Sequence, residues 1–198
     1  MLGGSLRGFG LRAPGFGGIG AALACLLAAG DAAGQANVNW DVGLEAGAMK
    51  RFTTSSQTNE PGFGPVFELQ GHVALIPMLR VGLYAAQDIS PMAGWPSRQF
   101  YEGGLHVKLT PPLLSSPWRT YLFAGFGAAY VHQAPNGGTL LEVPAGLGLA
   151  LKVRAPWELF AELGGRAGVA FLGGVYDGGI TGKDSFAVSL SVGVSLSD

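Results

Sequence analysis

The sequence predicts an all-β chain: an eight-stranded antiparallel up-and-down transmembrane β-barrel, preceded by a cleavable signal peptide. Three observations predict it. From about Val38 onward, every second residue of the strand-like segments is apolar. The ionisable residues fall almost wholly in the other phase, and because successive strand side chains point to opposite faces, the charge collects on one face of a sheet. Charge is also scarce: 13% of residues are Asp, Glu, Lys or Arg and mean hydropathy is +0.32, against about 25% charged in an ordinary soluble domain.

The segments follow in order. In the first, Val38, Trp40, Val42, Leu44, Ala46 and Ala48 alternate with Asn39, Asp41 and Glu45. The second sets Phe63, Phe67, Leu69, Val73 and Leu75 against Glu68, Gln70 and His72, and the third sets Leu79, Val81, Leu83 and Ala85 against Arg80, Tyr84 and Asp88. In the fourth, Tyr101, Leu105, Val107 and Leu109 oppose Glu102, His106 and Lys108. The fifth, Thr120 to Val131, is apolar in both phases, so periodicity leaves its facing open. The sixth sets Leu141, Val143, Leu147, Leu149 and Leu151 against Glu142 and Lys152; the seventh sets Leu159, Ala161, Leu163 and Ala167 against Glu158, Glu162 and Arg166. The eighth runs from Phe186 to Leu196 with Ser189, Ser191, Gly193 and Ser195 in its polar phase. Each is near the roughly 9–11 residues that cross a bilayer at a tilt. Pro65 and Pro144 are read as lying near strand starts, where a missing ladder donor is tolerated.

Alternation alone also fits a soluble, lipocalin-like ligand-binding barrel with its charged face in water. The scarcity of charge and the small residues of the polar phase argue instead for a crowded lumen inside and lipid outside. No apolar run of 18 residues occurs, so no transmembrane helix is expected.

Residues 1–36 differ in kind. Arg7 and Arg12 precede the apolar stretch Ile19 to Ala29, and Gly34-Gln35-Ala36 places small residues where a signal peptidase reads. Residues 1–36 are therefore expected to be a secretory signal and residues 37–198 the barrel domain. The only cysteine, Cys25, lies in the apolar stretch, so the mature barrel has no disulfide. Without Arg7, Arg12 and Asp31 there remain 10 basic and 12 acidic residues, from totals of 12 and 13. With no basic run, nucleic acid is excluded as a partner.

Connections alternate in length as in outer-membrane barrels. Ile76-Pro77-Met78 and Arg154-Ala155-Pro156 are tight; Thr53 to Pro61, Ile89 to Ser97 and Val169 to Asp184 are longer and are assigned outside the cell. Pro111 to Trp118 is long for a periplasmic turn and Gln133 to Gly138 short for an external loop. Trp40, Trp118 and Trp157, with Tyr121, are expected to form an aromatic belt at the periplasmic interface. Trp95 and Tyr176 are the candidate loop contacts for a surface partner.

Inward, the pattern collects a charge network of Glu68, His72, Arg80, Glu102, His106, Lys108, Glu142, Lys152, Glu158, Glu162 and Arg166, together with Asp41 and Glu45. Buried charges must be paired and hydrogen-bonded. An eight-stranded interior is just wide enough to be filled by such side chains, so a plugged lumen is expected, with Arg80 and Arg166 bridging carboxylates at mid-height. Three histidines without a His-x-His pair, with His72 and His106 on strands separated by a third, give no metal set and no cofactor is expected.

The phrases Thr120-Tyr121-Leu122-Phe123-Ala124-Gly125-Phe126-Gly127, Val143-Pro144-Ala145-Gly146-Leu147-Gly148-Leu149 and Trp157-Glu158-Leu159-Phe160-Ala161-Glu162-Leu163-Gly164 resemble the small eight-stranded outer-membrane barrels of the OmpA/OmpX type, over about Asn37 to Leu196. The resemblance implies the outer membrane of a Gram-negative cell envelope, insertion by the barrel-assembly machinery, contact with outer-membrane lipids and lipopolysaccharide, and a monomer. The family commonly ends in an aromatic residue, whereas this chain ends Val194-Ser195-Leu196-Ser197-Asp198. The resemblance says almost nothing about activity; the filled lumen and the lack of a catalytic set give the expected role, structural or surface-interacting, without catalysis. A narrow channel and a lipid-modifying enzyme are the alternatives within the membrane. A site resembling lipid A deacylases needs His and Ser in close strand spacing, but His132 is followed by Gln133 and Ala134.

Overall fold

The computed structural model describes residues 39–53, 61–133, 136–170 and 185–197. They form eight strands: β1 (Trp40–Thr53), β2 (Phe63–Ile76), β3 (Leu79–Met92), β4 (Trp95–Leu109), β5 (Trp118–Gln133), β6 (Asn136–Arg154), β7 (Trp157–Ala170) and β8 (Ser185–Ser197). Each pairs antiparallel with its neighbours in sequence, and β1 closes on β8. The expected signal segment and Tyr176 lie outside the described residues, as does the side chain of Trp95.

Register defines the closure. A path across the hydrogen bonds from Gly43 passes Gln70, Tyr84, Gly104, Gly127, Glu142, Gly168 and Ser185 and re-enters β1 at Thr53, ten residues beyond its start. Such a stagger goes with strands tilted by about 35–45°, and eight strands then enclose an interior that side chains fill.

The alternation assigns the two faces. One large apolar side chain from each strand (Leu44, Phe67, Leu83, Leu105, Phe126, Leu147, Leu163 and Leu190) stands exposed on the outer wall. No water-soluble barrel leaves such a continuous apolar wall uncovered; in lipid it is the favourable surface. The β5 phase that periodicity left open is now assigned: Tyr121, Phe123, Ala129 and Val131 are buried inside, while Leu122, Phe126 and Tyr130 face out.

Aromatic residues bound the wall at both ends. Trp118 and Trp157 are exposed at the rim that holds the chain ends, with Trp40 at the same level. Phe52, Phe63, Phe186 and Tyr130 are exposed toward the other rim. The twelve residue steps from Trp40 to Phe52 span roughly 30 Å at this tilt, about a hydrocarbon core. Tyr121 departs from expectation. It lies in the lumen phase and donates a hydrogen bond to Glu162 at 2.7 Å, so it belongs to the interior and not to the interface belt.

Two further expectations are corrected. The external loop assigned to Ile89–Ser97 is absent: β3 continues to Met92, β4 begins at Trp95, and Ala93-Gly94 alone make the turn. Gly94, at φ 75°, supplies the left-handed residue that so short a hairpin needs. Pro144 is not near a strand start but in the middle of the 19-residue β6. Its missing donor falls where the β5–β6 register is interrupted, between Ala124–Ala145 and Gly127–Glu142.

Candidate functional site

The lumen is built in two storeys. The outer storey centres on Arg51, which is 1% exposed. Its Nη2 donates to Asp88 at 2.6 Å and also pairs with Glu102, while Nη1 donates to Glu142 at 2.8 Å. Nε lies 3.2 Å from both Asp88 oxygens. The guanidinium rests 3.7 Å from the centre of the Phe100 ring, a planar cation on a π face. Glu102 links it onward, because its second oxygen pairs with Arg166, which donates to Glu68 at 2.6 Å. The chain Asp88/Glu142–Arg51–Glu102–Arg166–Glu68 thereby joins six strands across the lumen.

Apolar side chains seal this storey. Met49, Val66 and Ala187 pack on one side, and Phe100, Ala129, Val131 and Leu140 on the other. Excluding water strengthens each ion pair and makes an unpaired member costly. Asp88, Glu102, Glu142 and Glu68 meet Arg51 and Arg166 here, and one Glu142 oxygen and the Tyr84 hydroxyl have no hydrogen-bond partner among the described residues.

The inner storey mixes arginine, lysine and histidine. Asp41 accepts from His72 Nδ1 at 2.9 Å and pairs with Arg80. The other ring nitrogen of His72, Nε2, lies 3.1 Å from His106 Nδ1, so the two imidazoles share a hydrogen bond. The strand between the two histidines contributes Gly82 at this level. With no side chain intervening, residues on β2 and β4 meet in the lumen. The expectation that a third strand keeps these histidines apart is therefore overturned. Among the described residues, though, no group of three potential metal ligands is assembled.

Beside them, Glu162 accepts from Lys108 at 3.2 Å, from Tyr121 at 2.7 Å and from Gln70 at 3.4 Å. Glu158 pairs with Arg119. Tyr121, Phe123, Ala150 and Phe160 form the apolar filling, and glycines make room for their rings. A Cβ on Gly148 would run into Tyr121, and one on Gly193 into Phe160. A small polar cavity bounded by Asp41, Arg80, Lys108, Arg119 and Glu158 opens toward the rim of the chain ends. Between the storeys, Glu45 lies in register with Glu68 and accepts from Ser191 at 3.0 Å.

Of the charged residues expected inside, Glu68, His72, Glu102, His106, Lys108, Glu142, Glu158, Glu162 and Arg166 are buried in the lumen. Arg80 is there but not at mid-height: it is half-buried at the inner mouth and, among the described residues, its ion pair is with Asp41. Lys152 is displaced, being exposed at the β6–β7 rim where the strands run out of lumen. Arg166 bridges two carboxylates as expected. Arg51, Arg98 and Arg119 were missed. Arg51 occupies the same odd-numbered phase as Asp41 and Glu45, a signal present in the sequence once β1 is followed beyond Ala48. His132 faces outward across from Gln99 and Gly137.

A closed eight-stranded barrel with an apolar outer wall between aromatic girdles and its charge inside has the fold of the small outer-membrane β-barrels, and that wall places it in a membrane. Among solved structures it is similar to Neisserial surface protein A (NspA), with 18% identity over 79% of this chain and 96% of that one and a TM-score of 0.59. A major outer membrane protein from Thermus thermophilus gives 15% identity over 81% and 99%, TM-score 0.49. OprG from Pseudomonas aeruginosa gives 10% over 81% and 96%, TM-score 0.49. No family model matches the chain, and no curated protein matches it by sequence.

Proposed function

We propose that this protein is a closed, non-catalytic outer-membrane barrel whose role is structural or surface-interacting. Its lumen is plugged, so function resides on its rims and outer wall. The observation that supports this is the Arg51–Glu102–Arg166 chain, which crosses the outer storey between apolar clusters. A path for ions there would have to separate buried pairs, each separation costing about 3–5 kcal/mol. The proposed partners are the barrel-assembly machinery during insertion, and outer-membrane lipids and lipopolysaccharide afterwards, with the barrel acting as a monomer. Trp95 and Tyr176 stand as proposed surface contacts.

Planar-bilayer recording of the purified barrel tests the plug. A flat current trace is expected across the voltage range; discrete conductance steps would replace this reading with that of a narrow channel. Mass spectrometry of lipid A from cells with and without the protein tests the absence of catalysis, and the two spectra are expected to coincide.

A further inference from the structure

We infer that the outer wall carries a seat for a glycerophospholipid of the periplasmic leaflet, its phosphate at Arg154 and an acyl chain in a groove that climbs from Trp118 toward mid-membrane. The inference rests on the outer-membrane placement but not on the plug.

Two features meet at this place. The first is a cation turned to the lipid side. β6 and β7 run in even register to Lys152–Glu158, then shift by a residue so that Arg154 lies opposite Trp157. A bulge of this kind re-aims the side chains beyond it. Residues directly opposite in an antiparallel pair share a face, so Arg154 shares the outward face of exposed Trp157 at headgroup level. Without the shift, even-numbered β6 residues such as Glu142 and Ala150 point into the lumen. A guanidinium at this level is complementary to a phosphate and forms paired hydrogen bonds with it.

The second feature is an apolar groove of about 670 Å³ on the outer wall, whose lining reaches Leu151 on β6 and Leu159 on β7, three residues from Arg154 and two from Trp157 along their strands. Trp118 and Leu151, paired in register, form its lower end. It passes over the small side chains of Ala161 and Ala46, with Leu159 at its side, and ends at Phe67. Its volume is in the range of binding clefts, and apart from Glu45 its lining residues are apolar or glycine, as an acyl chain requires. A headgroup cation a few residues below a groove that begins at an indole suits a diacyl lipid entering from the rim of the chain ends. The only other charged strand residue on the lipid-facing wall among the described residues, Lys50, stands at the opposite rim among Phe52 and Phe63. It therefore serves as an internal control for the other leaflet.

Tryptophan quenching by brominated lipids tests the inference. The full barrel carrying Trp40→Phe and Trp95→Phe, so that Trp118 and Trp157 report, is placed in phosphatidylcholine vesicles containing brominated phosphatidylglycerol or brominated phosphatidylcholine. A preference for phosphatidylglycerol of about fivefold is expected, the scale of one cation at an anionic lipid surface. Arg154→Gln is expected to abolish it. Ala161→Leu, which narrows the groove, is expected to reduce quenching by both lipids, and Lys50→Gln to change nothing. Each variant is first shown to be folded by its gel shift on heating. Absence of the preference in the parent barrel, its survival in Arg154→Gln, or its loss in Lys50→Gln alone would overturn the inference. None of these results bears on whether the lumen conducts.

Discussion

The two storeys of the lumen solve one problem differently. Both bury acids and bases that an apolar interior disfavours. The outer storey uses two guanidiniums, each shared between carboxylates of different strands, and closes with apolar clusters. The inner storey pairs its carboxylates with Lys108, Arg80, Arg119 and His72, to which His106 is joined, and keeps a small polar cavity at its mouth. Arginine suits the first task because its fork engages several oxygens at once and is weakly hydrated. The inner arginines, Arg80 and Arg119, each hold one carboxylate and stand nearer the mouth, where water is within reach. The difference locates the seal in the half of the barrel farther from the chain ends.

The comparison can be broken most forcibly at Arg51. Arg51→Ala leaves Asp88, Glu102 and Glu142 facing one another, and a loss of about 3–5 kcal/mol is expected, measured by urea unfolding in vesicles. Arg166→Ala is expected to cost nearly as much. Because both arginines hold Glu102, the double variant should lose less than the two single losses combined. Packing in the inner storey comes next: Gly148→Val drives a side chain into the Tyr121 ring, and about 1–3 kcal/mol is expected from overpacking. The smallest effect is expected from Arg80→Ala, about 1 kcal/mol or less for a pair that water reaches, since Asp41 keeps its bond to His72. Equal losses for Arg51→Ala and Arg80→Ala would erase the distinction between the storeys.

Much of this was legible in the sequence. Parity separated the two faces and the scarcity of charge assigned the apolar one to lipid, and nine of the eleven charged or histidine residues expected in the network are buried in the lumen. What escaped lies at strand ends. β1 runs to Thr53 and β5 starts at Trp118, so Arg51 and Arg119 fall inside strands that their hydrophobic pattern no longer marks. Bulges are equally silent: the shift after Lys152 is a matter of backbone register, which a period-2 reading does not carry. Tyr121 misled because an aromatic residue suits an interface and a lumen alike, and β5 is apolar in both phases. The meeting of His72 with His106 depended on Gly82 between them, a packing consequence of a residue that reads in sequence as a gap.

Thiol accessibility tests the central claim, a lumen sealed at its outer storey and wet at its inner mouth. In a Cys25→Ser background, which removes the only cysteine, single cysteines are placed at Ala129 in the outer storey and at Ser195 beside the inner cavity. They are then challenged with a charged methanethiosulfonate from either side of the membrane. The account predicts that Ser195→Cys reacts from the side of the chain ends and that Ala129→Cys reacts from neither. Rapid modification of Ala129→Cys in the folded barrel would contradict it.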